Sequence, residues 1–281
     1  MTDLPAIAVA VAWPPEPWLR RFRALAPDRA VIEVADAKTP LPERHYLFCW
    51  KPARAVLHRA PAPLMICSAG AGVDHIMTHD PPAGVPITRV VDPDLTGRMV
   101  EYVVLHALFH LRRMTEWPAH NAARAWKTAP FPAAREVTIG IMGVGEMGQA
   151  AAAGLAALGF DVIGWGRSRR EGLRFACFAG AGERDAFLGR TDILVSLLPS
   201  TPETRGMVDA ALLKALRRDG PFGAPVFVNA GRGDAVNEPD LVAALTDGTL
   251  RAASLDVFPV EPLPATSPFW SMPNVVVTPH N

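Results

Sequence analysis

Short apolar runs alternate with amphipathic stretches along residues 1–95 of the chain. The runs have the length of strands, and turns rich in proline and glycine separate them. They predict strands at residues 7–11, 31–34, 46–49, 64–67 and 87–90. Strands that alternate with helices favour a parallel sheet with helices on its faces.

The same alternation returns in the second part of the chain, after a long helix predicted at residues 96–113 and a proline-rich connection. Strands are predicted at residues 137–142, 161–165, 193–197, 226–229, 253–257 and 275–277. Helices are predicted at residues 147–158, 202–217 and 238–246. The predicted fold class is therefore α/β, with two doubly wound parallel-sheet domains at residues 1–95 and 96–281.

Composition excludes several classes of protein. Hydrophobic residues make up 49% of the chain and charged residues 20%, which is typical of a globular protein. The 28 basic and 28 acidic residues give a net charge of zero, so we expect no nucleic-acid partner. The apolar run at residues 6–13 is too short to span a bilayer and follows no basic segment, so we expect no membrane partner.

The three cysteines, Cys49, Cys67 and Cys177, are scattered and show no CxxC spacing. Such spacing would be needed for a typical zinc site, and a disulfide framework needs an even, clustered set. We therefore expect no metal and a location in the reducing cytoplasm.

A glycine fingerprint follows the strand predicted at residues 137–142. Gly143, Gly145 and Gly148 form a GxGxxG pattern with Glu146 and Met147, at the start of a predicted helix. The first glycine permits a tight turn, the second lets the backbone approach a pyrophosphate, and the third allows close packing of helix and strand. The pattern alone is a weak signal, but its place between strand and helix predicts a dinucleotide site.

The loop after the next predicted strand indicates which dinucleotide binds. An NAD site normally carries an acidic residue there to accept the ribose hydroxyls. This chain has Arg167, Ser168 and Arg169 instead, and no acid before Glu171. Two guanidinium groups and a hydroxyl suit a 2′-phosphate, so NADPH is predicted as the cofactor, with NADH as the alternative. The competing interpretation is a solvated basic loop.

Three further side chains follow predicted strands of the second domain. They are Arg232, Glu261 and His280. The ends of parallel strands meet at one edge of the sheet, so these residues are expected to converge there. A histidine can supply a proton near neutral pH, a carboxylate can orient the imidazole ring, and an arginine can bind a carboxylate. Taken singly, each of them has an ordinary interpretation as a surface or turn residue.

Further motifs lie outside these segments, at Trp50-Lys51-Pro52, Leu197-Leu198-Pro199 and Ser267-Pro268-Phe269-Trp270. Together with the segments above, they resemble the D-isomer-specific 2-hydroxyacid dehydrogenase family and, within it, the glyoxylate/hydroxypyruvate reductase A branch. The resemblance covers nearly the whole chain. It implies that Arg232 binds the substrate, that His280 is the acid/base and that Glu261 is its partner.

The resemblance also implies roles for residues that motif chemistry alone leaves open. Backbone N–H groups of a small-residue loop would bind the substrate carboxylate, and this loop consists of Gly70, Ala71, Gly72 and Val73. Trp50 would form a wall of the pocket, although a core aromatic is an equally ordinary interpretation. Further cofactor contacts are implied at Leu198, Pro199, Ala230 and Asp256, the last of these to the nicotinamide carboxamide.

The expected protein is thus a pair of Rossmann-like domains with a cleft between them, which reduces small 2-oxo acids with NADPH. The segment at about 96–135 resembles the family's dimer arm, so a homodimer is expected. Family members continue past the position of Asn281, which stands where a small apolar residue is common. Two alternatives stay open, namely a dehydrogenase for a larger acid such as phosphoglycerate and a non-catalytic protein that senses dinucleotides.

Overall fold

The computed structural model describes residues 4–128 and 130–280. Asn281, which the comparison with the family singled out, lies outside the described residues. The chain divides into two compact units, Met1–Asp92 and Pro93–Asn281, each with a parallel sheet of its own.

The first unit is built on a five-stranded parallel sheet with the strand order β2-β1-β3-β4-β5. The strands are β1 (Ala6–Val11), β2 (Val31–Glu33), β3 (His45–Trp50), β4 (Met65–Ser68) and β5 (Ile87–Thr88). The helices are α1 (Glu16–Leu25), α2 (Arg54–Leu57) and α3 (Asp74–Met77). Ala8, Leu47 and Ile66 on the central strands pack in one core with Leu57 and Ile76. All five predicted strands are present within two residues of their expected bounds.

The second unit is built on a seven-stranded parallel sheet with the order β12-β11-β10-β9-β6-β7-β8. The strands are β6 (Thr138–Met142), β7 (Asp161–Gly166), β8 (Ala176–Ala179), β9 (Ile193–Ser196), β10 (Val226–Asn229), β11 (Ala252–Leu255) and β12 (Val275–Val277). The helices are α4 (Pro93–Leu111), α5 (Trp117–Ala122), α6 (Glu146–Ala157), α7 (Arg184–Leu188), α8 (Ala210–Ala215) and α9 (Glu238–Thr246). The strand order reverses between β6 and β9, and ligands bind at such a switch point in doubly wound sheets.

Helices cover both faces of this second sheet. Every residue of β6 is buried, as expected for a central parallel strand. Helix α4 packs closely on α6 at Gly154. A Cβ at this position would lie only 2.8 Å from Cγ1 of Val100. The predicted α/β class with two doubly wound parallel sheets is therefore confirmed.

Several local predictions in the second unit differ from the structure, which adds the unpredicted helices α5 and α7. The helix expected at residues 202–217 is limited to α8, because the preceding residues form a turn. In that turn the hydroxyl of Thr204 accepts a hydrogen bond from the N–H of Thr201, which competes with helix formation. The helix begins only where Asp209 caps it by accepting a bond from the N–H of Leu212 at 2.8 Å. Strand β8 was missed although its residues are apolar, and the structure shows it as a four-residue edge strand that is only partly buried.

Within the described residues, no helix is both long and apolar enough to cross a membrane.

Candidate functional site

Glycines at the carboxyl edge of the second sheet bring three loops into backbone contact. Gly143, after β6, has a φ of 102°, and a Cβ there would lie 2.7 Å from the carbonyl oxygen of Leu197. Gly231, after β10, approaches the same segment, because its Cβ would lie 2.7 Å from the amide nitrogen of Leu198. Larger residues at either glycine would therefore push the loops after β6, β9 and β10 apart.

The loop from β6 to α6 leads directly into the first turn of the helix. Gly145 is the N-cap of α6 and faces open space, with no heavy atom within 4 Å of an added Cβ. Gly148 packs against the carbonyl of Gly143, which a Cβ would overlap. The side chain of Gln149 donates to the carbonyl of Val144 at 3.1 Å and holds the loop. Between these glycines, Glu146 and Met147 begin the helix, whose first N–H groups have no partner within the helix.

The basic loop after β7 has an acidic partner that its local sequence does not reveal. Arg167, Ser168 and Arg169 are all exposed, as predicted for a loop. The guanidinium of Arg169 forms an ion pair with one carboxylate oxygen of Glu183. The other oxygen of Glu183 accepts a hydrogen bond from the N–H of Ala179 at 2.7 Å. Sequence reasoning missed Glu183 because it follows β8, the strand that was not predicted.

Arg232 lies in the loop that follows β10. Its guanidinium donates to the carbonyl of Gly231 at 2.8 Å, and its own carbonyl accepts from the side-chain amide of Asn229 at 3.2 Å. Gly233 packs so closely on the backbone of Phe258 that a Cβ would overlap it. These contacts join the loop after β10 to the loop after β11 and leave Arg232 half-buried.

His280 and Glu261 are in direct contact at the same edge of the sheet. Nδ1 of His280 lies 2.8 Å from Oε2 of Glu261, while Oε1 accepts from the N–H of Phe258 at 3.0 Å. The carboxylate accepts hydrogen bonds, so Nδ1 donates and Nε2 points away from Glu261. The two side chains are 48% and 34% exposed, so the pair remains open to solvent. His280 has a φ of 60°, a value that residues other than glycine rarely adopt.

Asp256, immediately after β11, is buried with 2% exposure. Its Oδ1 accepts a hydrogen bond from the hydroxyl of Thr278 at 2.6 Å. The Thr278 hydroxyl also lies 3.0 Å from the phenol oxygen of Tyr102 on α4. Thr278 belongs to the same short motif as His280, but no sequence pattern predicts its contact with Tyr102.

The remaining candidates of the second unit lie along the same edge. Leu198 and Ala230 are buried, whereas Pro199 is exposed in the loop that follows β9. The N–H of Ala230 donates to the carbonyl of Ser196 at 3.1 Å, which continues the pairing of β9 and β10 past the strand end. Across the described ranges, no group of three or more His, Cys, Asp or Glu side chains could hold a metal ion.

In the first unit, the predicted small-residue loop follows β4. The hydroxyl of Ser68 donates to the carbonyl of Gly72 at 2.8 Å and accepts from the N–H of Gly70 at 3.3 Å, which fixes the turn. Trp50 lies over Gly70, where a Cβ would overlap its indole ring. The Trp50 ring also contacts that of His75, with ring centroids 4.4 Å apart. Ala71 and Val73 complete the loop, and Val73 is the N-cap of α3.

The family model described as D-isomer specific 2-hydroxyacid dehydrogenase, NAD binding domain, matches residues 104–281. The chain therefore belongs to the D-isomer specific 2-hydroxyacid dehydrogenase family, and the resemblance seen in its motifs is confirmed. This family consists of NAD(P)-dependent enzymes, which defines the class of the protein.

The curated relatives include proteins named glyoxylate/hydroxypyruvate reductase A. The protein of Citrobacter koseri is 39% identical over 241 residues, which cover 84% of this chain and 75% of the relative. The protein of Klebsiella pneumoniae strain 342 is 36% identical over 270 residues, which cover 94% and 84%.

The solved structures that are similar over nearly the whole chain include two with NADP bound. A probable 2-hydroxyacid dehydrogenase from Rhizobium etli, in complex with NADP, HEPES and L(+)-tartaric acid, is 46% identical with a TM-score of 0.91. The NADPH-dependent glyoxylate/hydroxypyruvate reductase from Sinorhizobium meliloti, in complex with NADP and sulfate, is 46% identical with a TM-score of 0.88. Each match covers 99% of this chain and 88% of the other.

Proposed function

We propose that the chain reduces small 2-oxo acids, such as glyoxylate and hydroxypyruvate, to 2-hydroxy acids with NADPH as the preferred cofactor and NADH as an alternative. The observation that carries this proposal is the contact of His280 with Glu261 at the carboxyl edge of a dinucleotide-type sheet. The NADP in the Rhizobium etli and Sinorhizobium meliloti structures, and the names of the curated relatives, support it.

The glycine loop fits a dinucleotide, because Gly145 leaves open space in front of the first N–H groups of α6. When bound, NADPH supplies the hydride that the substrate's carbonyl carbon accepts. We assign the pyrophosphate to Gly143, Gly145, Glu146, Met147 and Gly148, and the 2′-phosphate to Arg167, Ser168 and Arg169. We assign further cofactor contacts to Leu198, Pro199 and Ala230, and the carboxamide to Asp256.

His280 donates the proton to the carbonyl oxygen in this proposal. Its Nδ1 donates to Glu261, so the transferred proton leaves from Nε2 and the ring keeps its Nδ1 proton. Glu261 is held in turn by the N–H of Phe258 and therefore fixes the orientation of the ring. Solvent replaces the proton, because both side chains are partly exposed.

Arg232 binds the substrate carboxylate and polarises the carbonyl in this proposal, because its planar guanidinium matches both acceptors. In the first unit, we propose that the N–H groups of Gly70, Ala71, Gly72 and Val73 contact the carboxylate. Ser68 keeps this turn in shape through its two hydrogen bonds. Trp50 forms a rigid wall that disfavours large substrates, because it is packed against both Gly70 and His75.

We also propose that the chain forms a homodimer in the cytoplasm through its arm, the segment at about 96–135. Trp126 on this arm is 98% exposed, and Leu105 and Met114 are exposed as well, so a second copy would remove apolar surface from water. The three cysteines are free thiols, which suits a reducing compartment. A monomeric mass by light scattering would contradict the dimer.

The decisive experiment measures the loss of NADPH absorbance with the purified chain and a panel of 2-oxo acids. The panel contains glyoxylate, hydroxypyruvate, pyruvate and phosphohydroxypyruvate. Turnover of glyoxylate and hydroxypyruvate is the expected result, and His280→Ala should abolish it or strongly reduce it. Preference for phosphohydroxypyruvate would favour a larger-acid dehydrogenase. Tight NADPH binding without turnover of any acid would favour a dinucleotide-sensing protein.

A further inference from the structure

A chain of side-chain hydrogen bonds connects α4 with the carboxyl edge of the second sheet. The phenol of Tyr102 lies 3.0 Å from the hydroxyl of Thr278, which donates to Oδ1 of Asp256 at 2.6 Å. A threonine hydroxyl has one proton, and here the carboxylate receives it. Tyr102 must therefore be the donor to Thr278, and the three groups form a directed chain that ends on the buried carboxylate.

The surroundings of Tyr102 keep this chain in place. Burial raises the pKa of Tyr102, so its phenol keeps the proton that it donates. The ring of His106 packs against the ring of Tyr102, with centroids 4.2 Å apart. The backbone of Thr278 is held as well, because its N–H donates to the carbonyl of Leu255 at 3.0 Å. Both ends of the Tyr102–Thr278 contact are thus anchored to regular secondary structure.

We propose that Tyr102 is a positioning residue, which acts through Thr278 to fix the carboxylate of Asp256 toward the nicotinamide end of the cofactor. This inference rests on the proposed function. Rotation about the Cβ–Cγ bond of an aspartate swaps the positions of its two carboxylate oxygens. The hydrogen bond from Thr278 holds Oδ1 of Asp256 and so sets the direction in which Oδ2 points. Tyr102 in turn donates to the Thr278 hydroxyl and so helps to hold that hydroxyl in its position against Asp256.

The test compares two ligands that differ in the nicotinamide. Dissociation constants are measured by titration calorimetry for NADPH and for adenosine 2′,5′-diphosphate, which shares the phosphate contacts but lacks the nicotinamide. We expect Tyr102→Phe to raise the dissociation constant for NADPH by about threefold to tenfold, which corresponds to the loss of one net hydrogen bond. Binding of adenosine 2′,5′-diphosphate should stay within about twofold of the unmodified chain.

Variants of Thr278 show whether the effect passes through its hydroxyl. Thr278→Val keeps the shape and removes the hydroxyl, so it should reproduce the Tyr102→Phe pattern, whereas Thr278→Ser should restore most of the NADPH affinity. The double variant Tyr102→Phe with Thr278→Val should be little worse than either alone, because one chain is broken in both cases. Tyr46→Phe, at the only other tyrosine of the sequence, is the matched control.

An equal loss of affinity for NADPH and for adenosine 2′,5′-diphosphate would overturn the proposal, because it would indicate a general structural defect. Unchanged NADPH binding in both Tyr102→Phe and Thr278→Val would overturn it too. If the unmodified chain binds adenosine 2′,5′-diphosphate but not NADPH, or binds neither, the proposed function itself fails.

Discussion

Glu261 accepts a hydrogen bond from Nδ1 of His280 at 2.8 Å while the N–H of Phe258 holds its other oxygen at 3.0 Å. The carboxylate is thus tied to the loop after β11 before it meets the imidazole that follows β12. This arrangement fixes the ring although His280 is half exposed and has a strained backbone, with a φ of 60°.

The first prediction follows from this pair. His280→Ala should lower kcat by about 10²–10⁴, the range for loss of a general acid. Glu261→Gln should lower kcat less, because the histidine remains but its preferred orientation is lost. The dissociation constant for NADPH should change little in either variant, as measured by fluorescence titration. Near-normal kcat in His280→Ala would remove this residue from the chemistry.

The second prediction concerns Arg232. Arg232→Lys keeps the positive charge but loses the planar fork, so the substrate KM should rise and kcat should fall together. We expect kcat/KM for glyoxylate to decrease by about 10- to 100-fold, which corresponds to one charge-assisted hydrogen bond. Arg20→Lys, at an exposed position of α1, is the matched control. An unaltered KM would separate Arg232 from the substrate carboxylate.

Much of this site could be predicted because it obeys a rule of topology. Arg232 and His280 follow β10 and β12, and strands that alternate with helices place such residues at one edge of a sheet. The apolar runs of β10 and β12 are continuous, so both strands were recognisable from the sequence. Residue types with clear chemistry at those ends then indicated the reaction.

The contacts that the sequence did not reveal join positions with no common pattern. Tyr102 and Thr278 are 176 positions apart, and neither the period of α4 nor that of β12 indicates which polar groups meet. Glu183 escaped prediction because the partly exposed edge strand β8 was not predicted, so the chain beyond it had no predicted place. Hydroxyl groups in the turn at Thr201 and Thr204 likewise replaced helical hydrogen bonds that the local composition favours.

The third prediction concerns the choice of cofactor. We expect kcat/KM for NADPH to exceed that for NADH by about 10- to 1000-fold. The reason is that Arg167 and Arg169 each contact the 2′-phosphate, and solvent partly screens both contacts. The double variant Arg167→Ala with Arg169→Ala should lose most of this preference and barely change the use of NADH. Added salt should reduce the preference in the unmodified chain. Equal kcat/KM for both cofactors there would contradict the assignment.

Glu183 refines this prediction. Its carboxylate pairs with Arg169 and lies near the position assigned to the 2′-phosphate, so it competes with the phosphate for the same guanidinium. Glu183→Gln keeps an acceptor for the N–H of Ala179 and removes the charge. We expect the NADPH preference to increase by about twofold to tenfold. A decrease would indicate that Glu183 acts mainly by holding Arg169 in place.

The fourth prediction concerns the stability of the second unit in acid. His110 on α4 is 3% exposed, and its Nε2 lies 2.8 Å from the hydroxyl of Ser254 on β11. Burial lowers its pKa from the ordinary value of 6.5 to about 3, and the charges of His106 and Arg251 act in the same direction. Burial lowers the pKa of His106 as well. The folded protein therefore keeps these rings neutral at pH values where the unfolded chain protonates them.

Between pH 6.5 and about 3 the unfolded chain binds more protons at His110, so the free energy of unfolding must fall as the pH falls through this range. One such group contributes a slope of about 1.4 kcal/mol per pH unit. The glutamine in His110→Gln cannot titrate. The slope of the unfolding free energy against pH, measured by urea denaturation from pH 7 to pH 4, should therefore be smaller in this variant than in the unmodified chain by about this amount. Some stability should be lost at pH 7, because the glutamine side chain fills the site less well. His58→Gln, at an exposed histidine, should leave the slope unchanged. If the curves of His110→Gln and the unmodified chain run parallel below pH 6, His110 is not the group that destabilises the fold in acid.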